Sequence, residues 1–150
     1  MTSNYNPHYD IRPRNLSFVA DLQVGEHAEN TFVEFLQLLA TGDVEVKYDR
    51  YRNGRMFVET EQCPRGHCTY IQSGINVTRA TWWVYFVSPS AFVVVAVERL
   101  KNYLRANYDE LIRNGKKQTG SSDNPARGFL LQAHQVHDLL TKPQYDIHNN

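Results

Sequence analysis

Residues 42–62 read GDVEVKYDRYRNGRMFVETEQ, and the fold turns on how this stretch pairs. Val44, Val46 and Tyr48 alternate with Glu45, Lys47 and Asp49, while Met56 and Val58 alternate with Phe57, Glu59 and Glu61. A period of two marks strands with one apolar and one polar face. The turn between the strands sets their register. A two-residue Asn53-Gly54 turn pairs Arg52 with Arg55 and mixes apolar and charged residues on each face. A three-residue loop, Arg52-Asn53-Gly54 with Gly54 at positive φ, pairs Tyr51 with Arg55. Val44, Val46, Tyr48, Met56 and Val58 then share one face, and Lys47, Asp49, Glu59 and Glu61 the other. A one-residue slip turns every side chain over, so the pattern predicts a hairpin closed by the three-residue loop, with Lys47 opposite Glu59 and Asp49 diagonal to it. Such neighbours lie about 4.5–8 Å apart. Two carboxylates at that range repel unless something positive stands between them, and a divalent metal with oxygen ligands, helped by a lysine, meets that need. The competing reading is a solvated polar face.

Upstream, residues 24–40 have helical periodicity: Ala28, Phe32, Leu36 and Leu39 form a stripe that Val33 and Phe35 widen. Thr41-Gly42 ends the helix. Glu29 falls on or beside the apolar stripe, where a carboxylate needs a partner, and Glu34 projects away. Downstream, residues 63–79 are irregular. Residues 80–87, ATWWVYFV, predict a third strand, Ser88-Pro89-Ser90 a turn, and 91–96, AFVVVA, a fourth strand that pairs back. Their near-continuous apolar character predicts cover on both faces. Residues 97–113 predict a second helix with Val97, Leu100, Leu104, Tyr108, Leu111 and Ile112 inward. A polar loop over 115–127, an edge strand at GFLLQA and a short helix over 134–140 follow.

The length of 150 residues suits a single domain with its own core, preceded by a loose arm over 1–17 and followed by a frayed tail over 141–150. No apolar run approaches the roughly 18 residues of a membrane span, and the N-terminus lacks an apolar signal region, so a cytoplasmic protein is expected. The formal net charge of zero excludes a strongly basic nucleic-acid binder but not a nuclease whose acidic ligands offset basic contacts. Arg50, Arg52 and Arg55 cluster at the predicted hairpin tip, where they could hold phosphates or simply be solvated. Cys63 and Cys68 in CPRGHC read as reduced thiols; zinc with His67 lacks a complete local ligand set, and a small disulfide loop requires an oxidising compartment. His134, His137 and Asp138 read as surface residues.

The element order and three motifs resemble the PD-(D/E)XK nuclease superfamily. Gly25 to Glu29 is similar to its Gly-x-x-x-Glu first helix, Asp49 to its strand aspartate, and Glu59-Thr60-Glu61 to its Glu-x-Lys. The spacing resembles the Holliday-junction-resolvase branch. The string VEVKYDRYRNGRMFVETE, with Ser73-Gly74-Ile75, Thr78-x-Ala80 and Trp82 after it, resembles small phage and bacterial proteins; together these cover roughly residues 21–113. The resemblance implies an α/β (mixed α+β) fold with a restriction-endonuclease-like core of αβββαβ type, one central mixed sheet of four to five strands flanked by helices. It implies a Mg²⁺-dependent DNA endonuclease of phage type, with Mn²⁺ as a substitute, DNA as partner and a homodimer as an assembly. Asp49, Glu59 and the Thr60 carbonyl would be metal ligands. Glu29 would serve a second ion or a water, and Glu61 would extend the shell. Arg50, Arg52, Arg55 and Arg79 would contact nucleic acid. Glu61 stands where the family has its lysine, and Lys47 is the natural substitute for orienting or activating water. That departure keeps open an alternative, a catalytically weak DNA-binding or complex-forming module of the same fold.

Overall fold

The computed structural model describes residues 18–41, 43–49, 51–64, 69–119 and 124–147. The expected N-terminal arm, Arg50, His67, Cys68 and the last three residues of the expected tail lie outside the described residues. Two compact units divide the chain, Met1–Gln37 and Leu38–Asn150, where the sequence led us to expect one domain.

The described part of the first unit is helix α1, Phe18–Thr41, whose last turn belongs to the second unit. It begins six residues before the predicted start. Phe35 is buried, with Thr31 and Leu38 half-buried beside it, whereas Phe32, Val33, Leu36 and Leu39 are exposed. The sheltered line is thus Thr31-Phe35-Leu38, at i, i+4 and i+7, and not the more apolar stripe one position over.

The second unit is mixed α+β. Its strands are β1 (Val44–Tyr48), β2 (Met56–Gln62), β3 (Ile71–Gln72), β4 (Trp82–Ser88), β5 (Ala91–Ala96), β6 (Lys117–Thr119) and β7 (Ala126–Leu131). Its helices are α2 (Val97–Ala106), α3 (Tyr108–Asn114) and α4 (Ala133–Thr141). The strands form two sheets, ordered β1-β4-β5 and β3-β2-β7-β6, rather than one sheet of four to five strands.

The predicted hairpin does not form. β1 pairs in parallel with β4, Lys47 opposite Tyr85, and β2 pairs antiparallel with β7, Val58 opposite Phe129. The physical reason lies in residues 49–55. The Asp49 carboxylate accepts the Tyr51 N–H at 2.8 Å, and the Asn53 side-chain oxygen accepts the Arg55 N–H at 3.1 Å. These two local side-chain turns, with Arg52 at φ 50° and Gly54 at φ 73°, build a longer connection that carries the chain from one sheet to the other. Gly54 has the positive φ expected of it, but it does not close a hairpin.

The predicted antiparallel pairing of β4 and β5 does form, with Val84 opposite Val94. Cover on both faces holds for Trp83, Val84 and Tyr85 at the centre of β4 but not for Phe92 on β5, which is exposed. The predicted second helix is broken at Asn107 into α2 and α3, and Tyr108 and Ile112 are exposed rather than inward. GFLLQA falls mostly in β7, an interior strand between β2 and β6 and not an edge. The 115–127 stretch supplies β6, one of that sheet's two edges beside β3.

The core brings Trp83, Tyr85 and Val95 of the first sheet against Met56, Val58, Phe129 and Leu131 of the second, with Leu100, Tyr103 and Leu139 from the helices. Each large apolar side chain so buried contributes about 1.5–3 kcal/mol. Arg99 of α2 fastens the C-terminal segment: its Nε donates to the Leu139 carbonyl at 2.7 Å and its Nη2 to the Lys142 carbonyl at 2.8 Å, and it pairs with Asp146.

Candidate functional site

Residues paired across parallel strands share a face. Glu45 and Lys47 therefore stand on the face of their sheet that carries the buried Trp83 and Tyr85. Asp49, just past the strand end, has the same parity and is 7 % exposed. The charged row of β1 thus turns inward, and its apolar row turns outward: Val46 and Tyr48 are each 53 % exposed. This reverses the predicted facing of the strand. Lys47 Nζ lies 2.7 Å from the Glu45 carboxylate and 5.5 Å from the centre of the Trp83 ring. Glu45 also accepts the Thr78 hydroxyl at 3.4 Å.

β2 holds Glu59 and Thr60 differently. The side chain of Thr60 is buried and donates to the Arg127 carbonyl at 3.2 Å. Between Glu59 and Glu61 the pairing with β7 shifts by a bulge, the kind of irregularity that re-aims a side chain. The segment after β3 docks onto this point. The Ser73 hydroxyl donates to Glu59 Oε1 at 2.8 Å, and the Thr60 carbonyl accepts both the Ser73 N–H at 3.0 Å and Asn76 Nδ2 at 3.1 Å. Two glycines permit the approach. A Cβ on Gly74 would stand 2.3 Å from the Glu59 carbonyl oxygen, and one on Gly128 would stand 2.1 Å from that of Val58.

Tyr85 links the two halves. Its hydroxyl accepts the Phe57 N–H at 3.1 Å, two residues before Glu59. Burial pushes the Tyr85 phenol above its ordinary pKa of 10.0, the bond from Phe57 opposes this, and the negative charge of Asp49 adds to the rise. The phenol is therefore a neutral strut between β4 of the first sheet and β2 of the second.

Glu61 does not share a row with Lys47; it pairs with Lys116 at 3.2 Å. The expected placement of Lys47 opposite Glu59 is replaced by its position opposite Tyr85. Glu29 is exposed and belongs to the first unit. Arg52 and Arg79 are exposed and Arg55 half-buried. Cys63 is buried, its N–H donating to the Pro125 carbonyl at 2.8 Å. Asp138 turns to Lys142 at 2.8 Å, which holds its carboxyl below the usual range. Sequence reasoning missed Tyr85, Asn76 and Gly128; it singled out Lys116 with Lys117 as basic residues that could hold phosphates, and the structure pairs Lys116 with Glu61. The irregular, glycine-containing segment 73–76 was a signal for the docking seen at Glu59, since isolated glycine often marks a close backbone approach.

Mg²⁺ usually takes one or two carboxylates from a protein and completes its shell with water and substrate phosphate oxygens. Asp49 and Glu59 suit that role, because each keeps one carboxylate oxygen without a donor among the described residues. The Thr60 carbonyl does not suit it, since two donors already use its lone pairs. Among the described residues no group of three or more His, Cys, Asp or Glu gathers to hold an ion, so any shell here would lean on substrate and water.

The second unit is thus a two-sheet α+β fold with an inward-facing charged strand. No family model, curated protein or solved structure matches the chain. Among the described residues, no helix is long and apolar enough to cross a membrane.

Proposed function

We propose that this protein is a metal-dependent nuclease that hydrolyses DNA phosphodiester bonds, with a restriction-endonuclease-like core and its chemistry around Asp49, Glu59 and Lys47. The observation that carries this reading is the burial of Asp49. A carboxylate this sheltered is favoured by a cation or by further hydrogen bonds. Among the described residues the Asp49 carboxylate accepts one bond, from the Tyr51 N–H, and has no ion pair. A divalent ion would supply the missing charge, and when bound it would stabilise the attacking and leaving oxygens of the displacement.

The chain's own residues divide the remaining work. Asp49 and Glu59 orient their free oxygens, the first through the Tyr51 bond and the second through Ser73. Lys47, held by Glu45, places a positive charge on the face of β1 whose parity Asp49 shares, suited to neutralising a phosphate or positioning water. Arg52 and Arg55, in the connection that follows Asp49, and Arg79 beside Thr78 suit the backbone of a DNA strand. Glu61, already paired with Lys116, balances local charge. Glu29 is left out of this division of work because it lies in the other unit. A second reading, a DNA-binding module of low turnover, is favoured by the ion pair between Lys47 and Glu45, which competes with any role of that lysine in turnover.

Cleavage of linear, nicked and four-way-junction DNA in Mg²⁺, Mn²⁺ or EDTA tests the proposal, with Asp49→Asn alongside. Asparagine keeps the oxygen that accepts from Tyr51, so the fold survives while the charge is lost. Metal-dependent cutting by the wild type, abolished in Asp49→Asn, is the expected result; cutting that persists in the variant sinks the assignment. Lys47→Ala separates the two readings. A loss of at least about 100-fold in rate with little change in DNA affinity, the scale of a lost acid–base or positioning group, supports catalysis. An equal loss in both makes Lys47 a phosphate contact.

A further inference from the structure

A cavity of about 360 Å³ opens between the segment entering β4 and the start of α2. It lies within the range of ligand-sized cavities, about 300–1,000 Å³. Its walls carry two cations from different elements, Arg79 before β4 and Lys101 on α2, over an apolar floor of Trp82, Ala96 and Val97. Among the described residues, neither cation has an ion-pair partner. Among the described residues the one carboxylate on the wall is Glu98, and it is turned to Arg105 at 3.1 Å, so these residues present positive charge to the cavity. Thr78, also on the wall, donates to Glu45, which holds Lys47. The cavity and the charged row of β1 therefore meet at one residue.

Two cations without an ion-pair partner among the described residues, beside an aromatic and apolar floor, are the chemistry that receives a nucleotide: charge for the phosphate, an indole and methyl groups for the sugar and base. We propose that this cavity is a nucleotide seat. The phosphate lies between Arg79 and Lys101, and the nucleoside lies against Trp82. Resting on the nuclease reading, it seats a nucleotide of the bound strand set back from the scissile phosphate, level with Val44 and five residues along β1 from Asp49, with the DNA strand passing over Thr78 toward Lys47 and Asp49.

The test uses the full chain and deoxyadenosine monophosphate as probe, titrated by calorimetry in EDTA, with DNA binding measured in parallel across a range of salt. The variants are Arg79→Gln with Lys101→Gln, and Arg113→Gln as control, an exposed cation on α3 away from the cavity. The double variant should lose at least about tenfold in mononucleotide affinity and reduce the salt slope of DNA binding by about one, the signature of one lost phosphate contact. The control should leave both unchanged. Undetectable mononucleotide binding to the wild type, equal binding by the double variant, or an equal loss in the control overturns the seat. Mononucleotide binding that needs Arg79 and Lys101, in a protein that cuts no DNA, keeps the seat and removes the nuclease. Metal-dependent cutting with mononucleotide binding unaffected does the reverse.

Discussion

β1 and β2 carry the same kind of sequence, carboxylates alternating with apolar residues, yet the chain holds them in different ways. β2 is an interior strand of its sheet, gripped on its backbone: Gly74 and Gly128 close on it at Glu59 and Val58, and its apolar row, Met56 and Val58, is fully in the core. β1 is an edge strand, bonded on one side to β4, with its charged row inward and Val46 and Tyr48 half in solvent. Backbone crowding fixes β2, whereas side-chain partners fix β1. A site shared between them would therefore have one rigid wall and one adjustable wall.

The largest effects should come from the rigid wall. Gly128→Ala forces a Cβ to within 2.1 Å of the Val58 carbonyl, and Gly74→Ala forces one to within 2.3 Å of the Glu59 carbonyl at a φ of 52°. Both contacts are with backbone, so neither can be relieved by a rotamer change. Each substitution should destabilise the fold by about 3 kcal/mol or more, beyond ordinary overpacking, read as a shift in the urea midpoint. A loss below about 1 kcal/mol would mean that β2 slides and that its grip on Glu59 is not backbone crowding.

Tyr85→Phe tests the strut between the two sheets. It leaves the Phe57 N–H without its partner, a loss of about 1–3 kcal/mol. Alkaline titration sharpens the point. Because the folded phenol has a pKa above 10.0, it favours the neutral form, and its contribution is intact below about pH 10, where the phenol is neutral folded or unfolded. The contribution is lost as pH rises through the folded value. Tyr103, raised by burial and by neighbouring acids, shares that direction. Wild-type stability should fall above about pH 10, and Tyr85→Phe should fall less steeply. Equal slopes would place the alkaline loss at Tyr103 and elsewhere.

Alternation made β1 and β2 legible as strands, and the apolar runs did the same for β4 and β5. Their partners were not legible. A period of two reports that a strand has two faces but not which face is inward, and Asn53-Gly54 carries the same turn signal in a hairpin as in a longer connection. The local bonds of Asp49 and Asn53 decided that choice, and such side-chain turns compete with the ladder without changing the hydrophobic pattern. For the candidate site, Asp49 and Glu59 were legible as carboxylates at the ends of alternating stretches, but the hairpin meant to bring them together does not form, and β1 and β2 lie in different sheets. The strut between the sheets was not legible, because a tyrosine inside WWVYFV reads as one more core aromatic.

Ser73→Ala comes next in size. It deletes the hydroxyl bond to Glu59 Oε1 and keeps the Ser73 N–H bond to the Thr60 carbonyl. About 1 kcal/mol of stability should be lost, since the acceptor is half-buried and can recruit water. If the Glu59 carboxylate holds an ion, the larger effect should appear in Mn²⁺ affinity, a weakening of about 10–100-fold, as for other residues that orient a ligand. Ser73→Thr should restore it. A stability loss with unchanged Mn²⁺ affinity would make the bond purely structural.

The smallest effect should come from the adjustable wall. Val46→Thr changes a half-exposed, outward side chain on an edge strand, and both residues are β-branched and suit a strand. The change should stay within about 0.5 kcal/mol. Val58→Thr, on the buried row of β2, places a hydroxyl in the core and should cost at least about 1 kcal/mol. The pair is a direct measure of which face of each strand is inward. If Val46→Thr costs as much as Val58→Thr, the outward row of β1 is covered by something in solution, and β1 is held on both faces as firmly as β2.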